Sequence, residues 1–250
     1  MAGIALGFLT RLPVRLKRPP TEEEFGASVA LFPLAGLLVG LVSAGAGLAG
    51  RYLVEPNWPA QNGTAAAAGA ILYIVANSAI TGGLHLDGLS DVADGLACKD
   101  PARALDVMKD SHTGVMGVVW LVSDVLARFA FAQALTAPAQ VAWLVAAPVV
   151  GRAAMAIVIS RYPYARGTGT GKVFAQNTRA MHSLVAALLA LGACLYLGTT
   201  GVLAAASSVF IAGVWAGALA RRLGGLTGDT YGSVNEVCEL TFLFGALILR

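Results

Sequence analysis

Residues 82–95 read GGLHLDGLSDVADG and place Asp87, Asp91 and Asp94 within eight residues, with no lysine or arginine among them. On a helix, spacings of four and three stack these carboxylates on one face. Like charges stacked in this way repel, and a cation among them relieves the repulsion. Hard oxygen donors without a neighbouring thiol point to Mg²⁺ or Mn²⁺ rather than zinc. Gly82, Gly83, Gly88 and Gly95 leave room for backbone and ligand to approach closely. The bland alternative is a solvated loop whose aspartates cap helices. For Asp100, which precedes Pro101, that reading suffices. His85 is open between a ligand or phosphate contact and an interfacial residue with satisfied hydrogen bonds.

A second acidic stretch, GGLTGDTYGSVNEVCE at 224–239, adds Asp229, Glu236 and Glu239. Glu236 and Glu239 share one helical face, and Thr227, Thr230 and Asn235 contribute neutral oxygens. Two acidic clusters on one side of a membrane would build a site with more than one metal, suited to clamping a phosphoanhydride. Lys109, Asp110 and Ser111 follow a short amphipathic stretch and either cap the next helix or join the site. Asp124 with Arg128, four apart, and Arg152 lie inside apolar segments. An ionisable group at membrane depth costs about 3 kcal/mol and is a functional candidate by default. Arg128 and Arg152 are candidates for substrate phosphate, against an internal Asp124–Arg128 pair. RGTGTGK at 166–172 lacks the P-loop glycine spacing and the Ser or Thr after its lysine. It reads as a plain connection.

These residues need a scaffold, and the composition says which kind. The chain of 250 residues is 57% hydrophobic and 12% charged, with a mean hydropathy of +0.71. Soluble proteins carry about 25% charged residues, so an all-α, polytopic membrane domain over 1–250 is expected. Apolar stretches at 27–50, 64–84, 114–136, 139–160, 183–199, 201–220 and 237–249 give about seven transmembrane helices, or six if the short last one lies at the surface. LGTTG at 197–201 reads as a tight hairpin, and 85–113 as an amphipathic segment beside the membrane. Cys98, Cys194 and Cys238 have no pairing pattern, and the N-terminus lacks the order of a cleaved signal. Lysine and arginine concentrate in 11–18, 99–109, 161–179 and 221–222, while the alternate connections hold almost none. That bias places the acidic segments together on the cytoplasmic face.

GGLHLDGLSDVADG, ARALDVMKDSHTG and LGGLTGDTYG with Glu236 and Glu239, together with FLTRLPV at 8–14 and FPLAGLLVG at 32–40, resemble the cobalamin synthase family from about residue 4 to 248. Ser90 stands where alanine is usual, and Arg128 where lysine is expected. The resemblance implies Mg²⁺-dependent transfer in a bacterial inner membrane. A hydroxyl of α-ribazole, or of its 5′-phosphate, attacks the cobinamide-linked phosphorus of adenosylcobinamide-GDP, and GMP leaves. On this reading Asp87 and Asp91 ligate Mg²⁺, and Asp94 ligates a second metal or accepts the proton. Asp229, Glu236 and Glu239 complete the metal site. His85, Lys109, Asp110, Ser111, Arg128, Arg152 and Thr227 contact substrate. The partners are the two substrates and the lipid bilayer, with no nucleic acid and with homo-oligomerisation open. The competing classes are a CDP-alcohol phosphotransferase, whose motif spacing is absent, and a transporter using Asp124 and Arg128.

Overall fold

The computed structural model describes residues 1–55 and 63–249; residues 56–62, part of the weakly charged connection after the first span, lie outside it. Among the described residues all regular structure is helical, apart from an isolated bridge between Tyr164 and Leu226. The order is α1 (Ala2–Leu9), α2 (Glu22–Ser28), a 3₁₀ turn (Val29–Leu31), α3 (Phe32–Val54), α4 (Thr64–Thr81), α5 (Leu84–Ala97) and α6 (Pro101–Val107). Then follow α7 (Val115–Leu135), α8 (Val141–Arg161), α9 (Thr170–Asn177), α10 (Ala180–Leu195), α11 (Gly198–Leu223) and α12 (Gly228–Ile248).

Helix α8 is the axis of the bundle. Apart from Arg152 and the terminal Arg161 it is apolar all round, and it is buried along nearly its whole length, as such a helix must be when neighbours enclose it. Helix α3 approaches it closely because two of its contact positions are glycine. On α3, a Cβ at Gly36 or Gly40 would collide with the backbone of α8 at Pro148 and Val145. Helices α4, α7 and α11 instead turn leucine, valine and phenylalanine outward, including Val75, Leu126, Leu203 and Phe210. This is the surface expected where lipid replaces water.

Among the described residues five helical segments are long and apolar enough to cross a membrane: Glu22–Val54, α4, α7, α8 and α11. A sixth is reached if α9 and α10, bent by 97° at their junction, count as one. The exact count of seven is therefore not confirmed. The segment at 237–249 is the second half of α12, whose first half carries Asp229, Glu236 and Glu239. Within this segment Cys238, Phe242 and Leu243 pack in the core. The hairpin expected at 197–201 is present between α10 and α11, and α6 buries Ala104 with Met108 just past its end.

Candidate active site

Two glycines bring the acidic stretches together. Gly88 on α5 faces the backbone of Asp229, where a Cβ would stand 2.6 Å from its carbonyl oxygen. Gly232 on α12 faces His85 Cα at 3.1 Å in the same sense. Helices α5 and α12 can thus pack backbone to backbone, and Asp229 arrives beside the aspartates of α5. The start of α12 is fixed by Thr227. Its hydroxyl accepts from Thr230 N–H at 3.3 Å, while its own N–H donates to the Thr230 hydroxyl at 2.7 Å. Gly82 and Gly83, with φ of 66° and 69°, make the turn that aims α5.

The four aspartates are not equivalent. Both oxygens of Asp94 are engaged, accepting from Gly114 N–H at 2.6 Å and Gly117 N–H at 2.8 Å, so this carboxylate caps the start of α7. Asp229 accepts from Arg166 Nη1 at 2.8 Å and from the Thr227 hydroxyl at 3.4 Å. The side chains of Asp87 and Asp91 have no hydrogen-bond partner among the described residues. Burial pushes Asp91 up to about 7, with Asp87 and Asp229 adding to the rise and Arg166 opposing it. This cluster therefore sets four carboxylates against one guanidinium. Arg166 in turn keeps Nε and Nη2 buried and unpartnered.

Asp87 sits on the wall between two cavities. The larger, about 730 Å³, lies among α1, the α4–α5 turn and α7, and includes Arg11 and Ser90. The smaller, about 260 Å³, lies among α5, α8, α9 and α12 and includes Arg166 and Asp229. The 166–171 loop, expected as a plain connection, lines this second cavity. Its Gly171 packs on the Tyr164 ring, where a Cβ would stand 2.8 Å from Cε2.

The other candidates separate from this cluster. Arg128 donates to Glu239 Oε2 at 2.8 Å, to Glu236 Oε2, and to Asp124 Oδ2 at 3.4 Å. Arg152 pairs with Glu239 Oε1, which also accepts from Asn235 Nδ2 at 2.8 Å. All of these side chains are buried, and His85 Nδ1 lies 3.9 Å from Glu236 Oε1. Glu236 and Glu239, expected as metal ligands, are thus ion-paired to the two arginines expected at substrate phosphate. A charge buried among α7, α8 and α12 must find its counter-charge there. Lys109 and Asp110 are exposed and engage their own loop: Lys109 Nζ is 3.9 Å from Asp106, and Asp110 accepts from His112 N–H at 3.0 Å. Ser111 is exposed beside them. Among the described residues no three His, Cys, Asp or Glu side chains converge as a ready-made metal-ligand set.

Sequence reasoning missed Arg166, whose only signal was a basic residue at the head of a glycine-rich loop. It also missed Tyr231, which stands in the GDTYG stretch but was passed over for its acidic neighbour.

The chain matches the family described as Cobalamin-5-phosphate synthase over residues 2–247. A curated relative from Stutzerimonas stutzeri, named adenosylcobinamide-GDP ribazoletransferase, is 39% identical, covering 97% of this chain and 95% of the relative. Proteins of the same name from Desulforamulus reducens, 36% identical over 98% and 95%, and Roseiflexus sp., 39% over 96% and 87%, are similarly alike. No solved structure matches.

Proposed function

The chain belongs to the cobalamin-5-phosphate synthase family, and we infer that it performs the transfer for which its relatives are named. A hydroxyl oxygen of α-ribazole, or of its 5′-phosphate, attacks the cobinamide-linked phosphorus of adenosylcobinamide-GDP. The phosphoanhydride bond breaks, GMP leaves, and the hydroxyl proton passes to a base. The product is adenosylcobalamin or its 5′-phosphate.

The observation that carries the assignment of the site is the unpaired Asp87 on a wall shared by two cavities, with the unpaired Asp91 one turn further along α5 and unpartnered Arg166 nitrogens lining the smaller cavity. Mg²⁺ is held by one or two carboxylates, with substrate phosphates and water completing its octahedron. Asp87 and Asp91 are a donor set of that kind, which agrees with the lack of a closed ligand cage. Bound there, Mg²⁺ would neutralise charge on the diphosphate as it breaks down. Arg166, through Nε and Nη2, contacts phosphate oxygens, and Asp229 orients it. Asp94 fixes α7 against α5 and so holds the larger cavity in shape. Glu236, Glu239, Arg128 and Arg152 support α12 from below. Because those buried charges are ion-paired to one another, the observation behind a transporter reading falls away.

The lysine and arginine bias supports a bacterial inner-membrane enzyme with this cluster on the cytoplasmic side. The test is GMP release by the protein in lipid, with both substrates, against a Mg²⁺ titration and with the corrinoid product identified by mass. Release that requires metal and both substrates supports the reading. No release with either form of ribazole, from folded protein, overturns it.

A further inference from the structure

The smaller cavity holds more unspent polar chemistry than the metal and phosphate roles consume. Tyr231 is 3% exposed, and its Oη has no hydrogen-bond partner among the described residues. His85 is equally buried, and its Nε2 is likewise unpartnered. Both line this cavity, on facing helices α12 and α5. Phe8, Met155, Ile159 and Phe174 give this cavity an apolar, aromatic side, while Asp87, Arg166 and Asp229 give it a charged one. Phe174 is held in a ring cluster, 4.6 Å from Phe8 and 5.6 Å from Phe32 between centroids. A buried polar atom without a partner costs roughly 1–3 kcal/mol, so these two, in the same cavity as the unpartnered Arg166 Nε and Nη2, mark a place that a ligand completes.

We propose that this cavity is the subsite for the nucleoside acceptor, holding its benzimidazole base among the aromatic side chains with Tyr231 Oη donating to the free ring nitrogen. This rests on the transfer reaction inferred above. At about 260 Å³ the cavity is below the usual range for small-molecule sites and too small for a corrin ring. The competing occupant is the guanine of the donor. Guanine presents donors and acceptors around most of its edge, and an apolar wall would strand them. A benzimidazole nucleoside offers one ring nitrogen and an apolar edge, with its polar atoms gathered on the sugar. That distribution matches a cavity with an apolar, aromatic side next to Tyr231 and a charged side at Asp87, Arg166 and Asp229. Asp87 and Arg166 at the margin place the sugar hydroxyls toward the phosphate, while the larger cavity on the other side of Asp87 receives the corrinoid-linked donor.

The experiment uses full-length protein in lipid, with steady-state GMP release as the readout. In Tyr231→Phe the KM for α-ribazole rises about tenfold, the loss expected for one buried hydrogen bond. The KM for adenosylcobinamide-GDP stays within twofold. An indole riboside, which lacks the ring nitrogen, is penalised to the same degree by the wild type and suffers no added penalty in Tyr231→Phe. Independently of any variant, α-ribazole carrying a photoreactive azide on its base labels the wild type at Phe174 or Met155. A KM change confined to the donor, or labelling only at residues of the larger cavity, overturns the proposal while leaving the reaction standing. Absence of GMP release from wild type with α-ribazole defeats the inferred reaction instead.

Discussion

The outer cluster on α5 and at the start of α12, and the inner cluster two turns deeper, use the same residue types and answer to opposite rules. In the inner cluster Asp124, Glu236 and Glu239 meet Arg128 and Arg152, three carboxylates against two guanidiniums, all buried and bonded to one another. In the outer cluster Asp87, Asp91, Asp94 and Asp229 meet Arg166 alone. Asp87 is exposed, and Asp91 and Asp229 are partly so. A charge that water cannot reach must be neutralised by the fold itself. A charge at a cavity wall can be left for something else to neutralise. Acidic residues in an oily helix are therefore sorted by whether the protein supplies their counter-charge.

The sharpest way to break this contrast is to remove one partner from each cluster. Arg152→Ala strands Glu239 in the core and costs about 3–5 kcal/mol. Thermal unfolding in detergent should show a large drop or a loss of folded protein. Asp91→Asn does the reverse. It leaves the unfolding temperature unchanged or higher, since a repelling charge is gone, and lowers GMP release by about 10²–10³-fold. If Arg152→Ala instead kept its stability and lost only donor binding, the inner cluster would be part of the substrate site.

A smaller effect comes from pH. Asp91, raised to about 7 by burial and like charges, binds a proton in the folded protein that it has lost above pH ~4 when unfolded. Without metal, stability therefore declines as pH rises from ~4 to about 7 and then levels, because the folded state binds more protons across that window. Saturating Mg²⁺ should flatten the decline, and Asp91→Asn should abolish it. Differential scanning calorimetry at matched ionic strength reads all three. The smallest effect belongs to Asp94→Ala, which removes the cap on α7 at a cost of roughly 1 kcal/mol. Its loss of activity should be less than that of Asp91→Asn, with metal binding retained.

Much of this was legible in the sequence. The apolar stretches gave the class of fold, and the spacing of Asp87, Asp91 and Asp94 put three carboxylates on one helix, α5, although Asp94 caps α7. Three things were not legible. Helix α12 has a hydrophobic half that reads as a span, yet its polar half packs inside the bundle, because Gly88 and Gly232 let α5 and α12 meet without side chains between them. Glu236 and Glu239 looked like ligands because their partners, Arg128 and Arg152, lie some 110 and 90 positions away along the chain. Periodicity reports one helix at a time, and counter-charge is a property of neighbours. Arg166 escaped for the same reason, being tied to Asp229 across 63 residues.

The most direct measurement is Mn²⁺ binding, followed by electron paramagnetic resonance on the folded protein in lipid, comparing wild type with Asp87→Asn/Asp91→Asn. It needs no turnover and reads the outer cluster alone. Saturable binding in the wild type that disappears in the double variant, with an unchanged unfolding temperature, is the predicted result. Binding that survives both substitutions would contradict the account and move the metal away from α5.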